Sequence, residues 1–141
     1  MSATATTTPR GGTFAPLVIC ASLGLATEIY FVTLFGVAVL TRPYFWPGLL
    51  LSAFWVYCLI VRRFRPWHRY VWRFASIWSG IWTVFGVLFT FVPFAALAIP
   101  FPAWPWLEET GVNPYLALAL HGFIWACCTD VLRAVPNPRK A

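Results

Sequence analysis

Charge is what this chain has least of. Only 10% of its 141 residues are charged, and four of those are acidic: Glu28, Glu108, Glu109 and Asp130. An ordinary soluble domain carries roughly 25%. With so few ionisable groups there is no catalytic carboxylate pair, no nucleophile with its base and no glycine loop to cradle a phosphate. The four cysteines, Cys20, Cys58, Cys127 and Cys128, include no C-x-x-C, so neither a redox motif nor a zinc site is expected, and small buried apolar side chains are the default reading. Enzymology of the soluble type is not visible, and an enzyme is the less favoured class.

What the chain does have is apolar bulk. Hydrophobic residues make up 60% of it and aromatic residues 19%, with a mean hydropathy of +0.74. A water-soluble chain this short could not hide that much apolar surface. Four runs, 15–40, 44–61, 74–98 and 114–134, are long enough to cross a hydrocarbon layer of roughly 30 Å. They show no polar and apolar alternation, so helices rather than a barrel are predicted. The first run is too long for a signal peptide, and no small-residue cleavage signal follows Leu40. The expectation is an all-α integral membrane protein of four transmembrane helices. It forms one domain without internal repeats, preceded by a flexible leader, 1–14, and followed by a basic tail, 135–141.

Cations are distributed unevenly about these spans. Arg10, Arg62, Arg63, Arg65, Arg69, Arg73, Arg133, Arg139 and Lys140 fall on one side, and Arg42 stands alone on the other. By the positive-inside rule both termini and the loop between spans two and three face the cytoplasm, or the matrix of a mitochondrion. A bacterial or mitochondrial inner membrane is the expected location. Tyr44, Trp46, Trp104, Trp106 and Tyr115 would mark the outer interface, and Trp67, Tyr70 and Trp72 the inner. The outer loop, 100–113, is stiffened by Pro100, Pro102 and Pro105, with Glu108 and Glu109 in water. The basic loop "RRFRPWHRYVWR" interleaves cations with rings but is too short to build a nucleic-acid groove, so no nucleic acid is expected. Its Arg62, Arg63, Arg65, His68, Arg69 and Arg73 are expected to meet anionic lipid headgroups or a neighbouring membrane subunit.

Two ionisable side chains fall well inside spans. Glu28 lies near the middle of the first, where an unpaired carboxylate costs several kcal/mol and therefore reads as a functional candidate or a helix fastener. His121 in the fourth lies at a comparable depth, so a pairing between the two is open. Tyr30, Trp55, Trp78 and Trp82 could cage a cationic or lipophilic ligand around Glu28. No cofactor is predicted; axial ligation of haem or a chlorophyll-type pigment by His121 is the lesser reading, because His68, the other histidine, belongs to the basic loop. Asp130 is explained by an ion pair with Arg133 one turn on. Ser76, Ser79, Gly80, Thr83 and Gly86 form a small-residue face suited to close helix packing.

The chain resembles the bacterial small multidrug resistance transporters in spans one to three. The shared features are Glu28, "TR" followed by "WP" (Thr41, Arg42, Trp46, Pro47), "FW" (Phe54, Trp55) and "IWSGI" (Ile77 to Ile81). That resemblance implies a four-helix fold in which Glu28 binds a proton or a cationic substrate in competition and Trp78 lines the site. The strong charge bias, the longer basic second loop, the Pro/Trp-rich outer loop and the fourth span depart from the family. Three functions are thus expected, in order. The first is a non-catalytic accessory or assembly subunit of a larger membrane complex, with energy-transducing complexes among the candidates. A small proton-coupled transporter or binder of a lipophilic or cationic ligand using Glu28 comes second, and a membrane enzyme acting on a lipid or quinone third.

Overall fold

A computed structural model describes residues 11–91 and 110–137. Over those residues the chain is helical: α1 spans Phe14–Phe35, α2 Phe45–Val61, α3 His68–Phe91 and α4 Pro114–Ala134. Three of the four, α1, α3 and α4, are long and apolar enough to cross a membrane. The fourth, α2, has 17 residues and is short; at 1.5 Å per residue it extends about 26 Å. The leader 1–10, the segment 92–109 and the tail 138–141 lie outside the described residues. With them lie the expected end of the third span, Trp104, Trp106, Glu108, Glu109 and the loop prolines.

Local chemistry sets the boundaries. Gly36, at φ 53° and ψ −135°, ends α1 in a conformation that side-chain-bearing residues rarely adopt, and the chain tightens into a 3-10 turn over Gly36–Thr41. The expected helix through residue 40 is therefore corrected over its last turn. Pro47 falls in the first turn of α2, where a missing N–H leaves no intrahelical bond unmade. Arg62 closes α2 in the left-handed region, φ 50° and ψ 26°, with its N–H on the Cys58 carbonyl. The turn around Pro66 then leads directly into α3, with the Arg69 N–H on the Pro66 carbonyl at 3.2 Å. α3 starts six residues before the expected position 74 because Arg69, Tyr70 and Trp72 join the helix although they interrupt the apolar run; Trp72, expected at the inner interface, is instead fully buried against Phe54 and Trp55. For α4 the bounds are those expected: Pro114 opens it, and the Asn113 side chain accepts the Tyr115 N–H at 2.9 Å.

Apolar surroundings favour polar side chains that find a partner on their own helix. Thr27, Thr83 and Thr129 each donate a hydroxyl to the carbonyl four residues back, on Leu23, Ser79 and Trp125. The helices pair α1 with α2 and α3 with α4, while α1 also packs on α4. Small residues bring the pairs together. A Cβ on Gly24 would stand 2.5 Å from Ser52 Oγ, and one on Gly80 3.1 Å from the Trp125 ring. The expected small-residue face of α3 thus lies against α4, where Ser76 and Thr129 share a hydrogen bond of 3.4 Å.

The main core occupies one end of the bundle. Leu17, Phe64, Trp72, Val131 and the cysteines are buried there, and α2 meets α3 through Phe54 and Trp55 against Trp72, with ring centroids 5.8 and 6.3 Å apart. Arg69 donates to the Leu132 and Val135 carbonyls at 2.9 and 2.8 Å, satisfying acceptors that the end of α4 leaves open. The Arg62 guanidinium lies 5.0 Å over the Phe14 ring. Hence the start of α1, the α2–α3 turn and the end of α4 share one end of the bundle, the basic end. At the far end a smaller cluster of Phe31, Val39 and Phe45 joins α1 to α2.

Candidate functional site

Between these two clusters the four helices line a half-open cavity of about 580 Å³, within the roughly 300–1,000 Å³ of small-molecule sites. Its walls are apolar and aromatic, with few polar groups. Glu28 enters from α1. The residue is 7% exposed, and among the described residues its buried Oε2 has no hydrogen-bond partner and no arginine or lysine lines the cavity. Gly48 of α2 makes the room for this carboxylate: a Cβ there would stand 2.5 Å from Oε1.

His121 reaches the same cavity from α4. Its ring lies nearly parallel to Trp82, 6.1 Å between centroids and 25° between planes, and its buried Nδ1 has no hydrogen-bond partner among the described residues. Glu28 and His121 are therefore brought to one site, although no hydrogen bond joins them among the described residues. Three of the four expected cage residues, Tyr30, Trp55 and Trp78, line the cavity, and the fourth, Trp82, backs His121. The Tyr30 hydroxyl donates to the Thr110 carbonyl and so ties α1 to the segment leading into α4. Trp78 meets Trp82 edge-on at 5.6 Å, as residues four apart on one helix face can.

Sequence reasoning passed over Gly48, Ser52 and Asn113, all of which line the cavity. The signal for two of them was in "GLLLS", Gly48 to Ser52: small residues four apart mark a face that lets a neighbouring helix approach.

The basic end is arranged differently from the expected docking face. His68 is fully buried in a box of rings: Trp67 at 4.1 Å, Phe54 at 5.6 Å and Tyr57 at 5.7 Å. Its Nδ1 accepts the Arg65 N–H at 3.3 Å. Packing and turn shape are its roles here, so His68 is corrected out of the docking set. Arg69 is engaged with α4, as described. Arg62, Arg63, Arg65 and Arg73 are exposed. Asp130 pairs with Arg133 at 3.2 Å, as expected from their spacing.

All four cysteines are free and buried, and Cys20 of α1 lies against Cys127 and Cys128 of α4. Among the described residues no group of three or more His, Cys, Asp or Glu side chains is placed to hold a metal ion. No family model, curated protein or solved structure matches the chain. Likeness to the small multidrug resistance transporters rests on the short motifs alone.

Proposed function

We propose that this protein is a small membrane protein that binds a lipophilic cation in the cavity between its helices, with Glu28 as counter-charge and a proton as the competitor. The observation that carries this reading is the buried Glu28 carboxylate, its Oε2 without a hydrogen-bond partner, in an aromatic cavity that it shares with His121 and that no arginine or lysine among the described residues lines. An ionised carboxylate in such surroundings needs a positive charge beside it, supplied either by a proton or by a ligand. The faces of Trp55, Trp78 and Tyr30 favour a cation as well as apolar bulk. Because proton and cation neutralise the same group, each excludes the other. The basic end, by its excess of arginine, faces the cytoplasm or matrix.

The test is equilibrium binding of a tetraarylphosphonium to the purified chain in detergent. Affinity is expected to rise with pH as the proton leaves Glu28, and to be weak and independent of pH in Glu28→Gln. Equal binding by the two proteins would remove the proposal.

A second reading, an accessory subunit of a larger membrane complex, draws on the apolar stripe that α3 leaves exposed: Phe74, Ile77, Ile81 and Val84. A neighbouring helix could cover it, as lipid could. Gentle extraction followed by native mass measurement decides, since a chain recovered only alone or as a homodimer contradicts the subunit reading.

A further inference from the structure

The basic end carries more exposed arginine than the fold itself uses. Arg69 is engaged with two α4 carbonyls, Arg62 lies over Phe14, and Arg133 pairs with Asp130. Arg63, Arg65 and Arg73 are exposed, and among the described residues no carboxylate pairs with them: Glu28 faces the cavity, and Asp130 is paired with Arg133. Their placement follows from the turn. Phe64 is fully buried, so its neighbours Arg63 and Arg65 fall on the opposite side of an extended segment. The Arg65 N–H on the His68 imidazole and the left-handed Arg62 hold that segment in shape.

Arg73 lies one turn into α3, on the face that exposes Tyr70 and Phe74. Trp67 and Tyr70, exposed beside the arginines, are amphipathic rings of the kind that sit at headgroup depth. From that level the exposed face continues as Phe74, Ile77, Ile81 and Val84, an unbroken apolar track along α3. Cations, interfacial rings and an apolar track thus follow one another in the order of a phospholipid's own parts.

We propose that this surface is a binding site for an anionic phospholipid. The phosphate is held by Arg63, Arg65 and Arg73, the glycerol region lies at Trp67 and Tyr70, and an acyl chain runs along the α3 track. Guanidinium groups suit a phosphodiester because they present paired donors to its oxygens. The arginines supply the preference for a negative headgroup, and the apolar track, common to all phospholipids, supplies retention. The site is separate from the cavity at Glu28 and independent of what binds there.

The experiment uses the full chain purified in mild detergent, with native mass measurement of lipid adducts. Phosphatidylglycerol and phosphatidylcholine with identical acyl chains compete at equal concentration, with inorganic phosphate as a separate competitor. The native protein is expected to retain the anionic lipid in preference by about tenfold or more, given about 1 kcal/mol for each cation near an anionic headgroup. That preference is expected to vanish in the triple variant R63Q/R65Q/R73Q and to diminish in R65Q alone, while adducts of phosphatidylcholine, whose choline offsets its phosphate, fall much less. Thermal unfolding in phosphatidylcholine micelles is expected to be the same for all three proteins, which separates loss of the site from loss of the fold. Equal retention of both lipids by the native chain overturns the proposal, as does an undiminished preference in the triple variant. Displacement of the anionic lipid by millimolar inorganic phosphate would show an anion site rather than a lipid site. An acidic protein chain bound to these arginines in place of lipid would likewise contradict it.

Discussion

At the basic end, Phe54, Trp55 and Trp72 fasten α2 to α3, Cys20 meets Cys127 and Cys128 across α1 and α4, and an arginine closes the end of α4. In the middle of the bundle the same four helices line a cavity, and the Glu28 Oε2 and His121 Nδ1 are buried there without a hydrogen-bond partner among the described residues, as His68 Nε2 and Trp72 Nε1 are at the basic end. The difference lies in where volume is placed. Large rings fill the space at one end, whereas Gly48 and Ser52 leave it open beside Glu28. One half is filled by side chains, and the other keeps a cavity of the size that small-molecule sites have.

Substitutions that exchange these roles test the contrast. The largest effect is expected from Trp72→Ala, which hollows the closed end and should cost about 3–5 kcal/mol of stability. Unfolding in detergent measures it, and the folded fraction should bind the phosphonium as before. Glu28→Gln should do the reverse, lowering phosphonium affinity about 100-fold, or about 2.7 kcal/mol, with unfolding unchanged or shifted upward. A large loss of stability there would mean that Glu28 is a helix fastener and the contrast is wrong.

Smaller effects follow. Arg69→Gln leaves the Leu132 and Val135 carbonyls without their charged donor and should destabilise by about 1–3 kcal/mol, seen as early amide exchange at the end of α4. Gly48→Ala places a methyl group where the carboxylate lies and should weaken the phosphonium about tenfold with little change in unfolding. Asp130→Asn removes an exposed ion pair and should cost less than about 0.5 kcal/mol. Greater sensitivity there would show that the basic end depends on its surface charges more than on its rings.

Much of the fold was legible because membrane spans are written as long apolar runs. α4 was found at its observed bounds and α2 within one residue, since proline and aromatic residues punctuate both. The errors came where helix and apolar run part company. α1 gives way to a 3-10 turn at Gly36, although Val37 and Val39 continue the apolar run, and α3 begins among arginines that hydropathy excludes. Of the candidate site, Glu28 and His121 were legible by rarity, because ionisable groups inside apolar runs are conspicuous. Gly48 and Ser52 were not, because small residues are common in such runs and acquire a role only from the helix that faces them. His68 was misplaced for a related reason: one histidine among arginines looks solvated until its neighbours Phe54 and Tyr57 arrive from another helix.

The sequence by itself determined that the chain is helical and suited to a membrane, where its helices roughly lie, and which few side chains are costly to bury, since each depends on local composition and on the loss of water. The tertiary structure alone decided that Glu28 and His121 share one cavity, that His68 and Arg69 turn inward, and that Arg63, Arg65 and Arg73 are left outward. Those outcomes depend on which helix faces which, and that is set by close approach at Gly24, Gly48 and Gly80 between residues far apart in the chain.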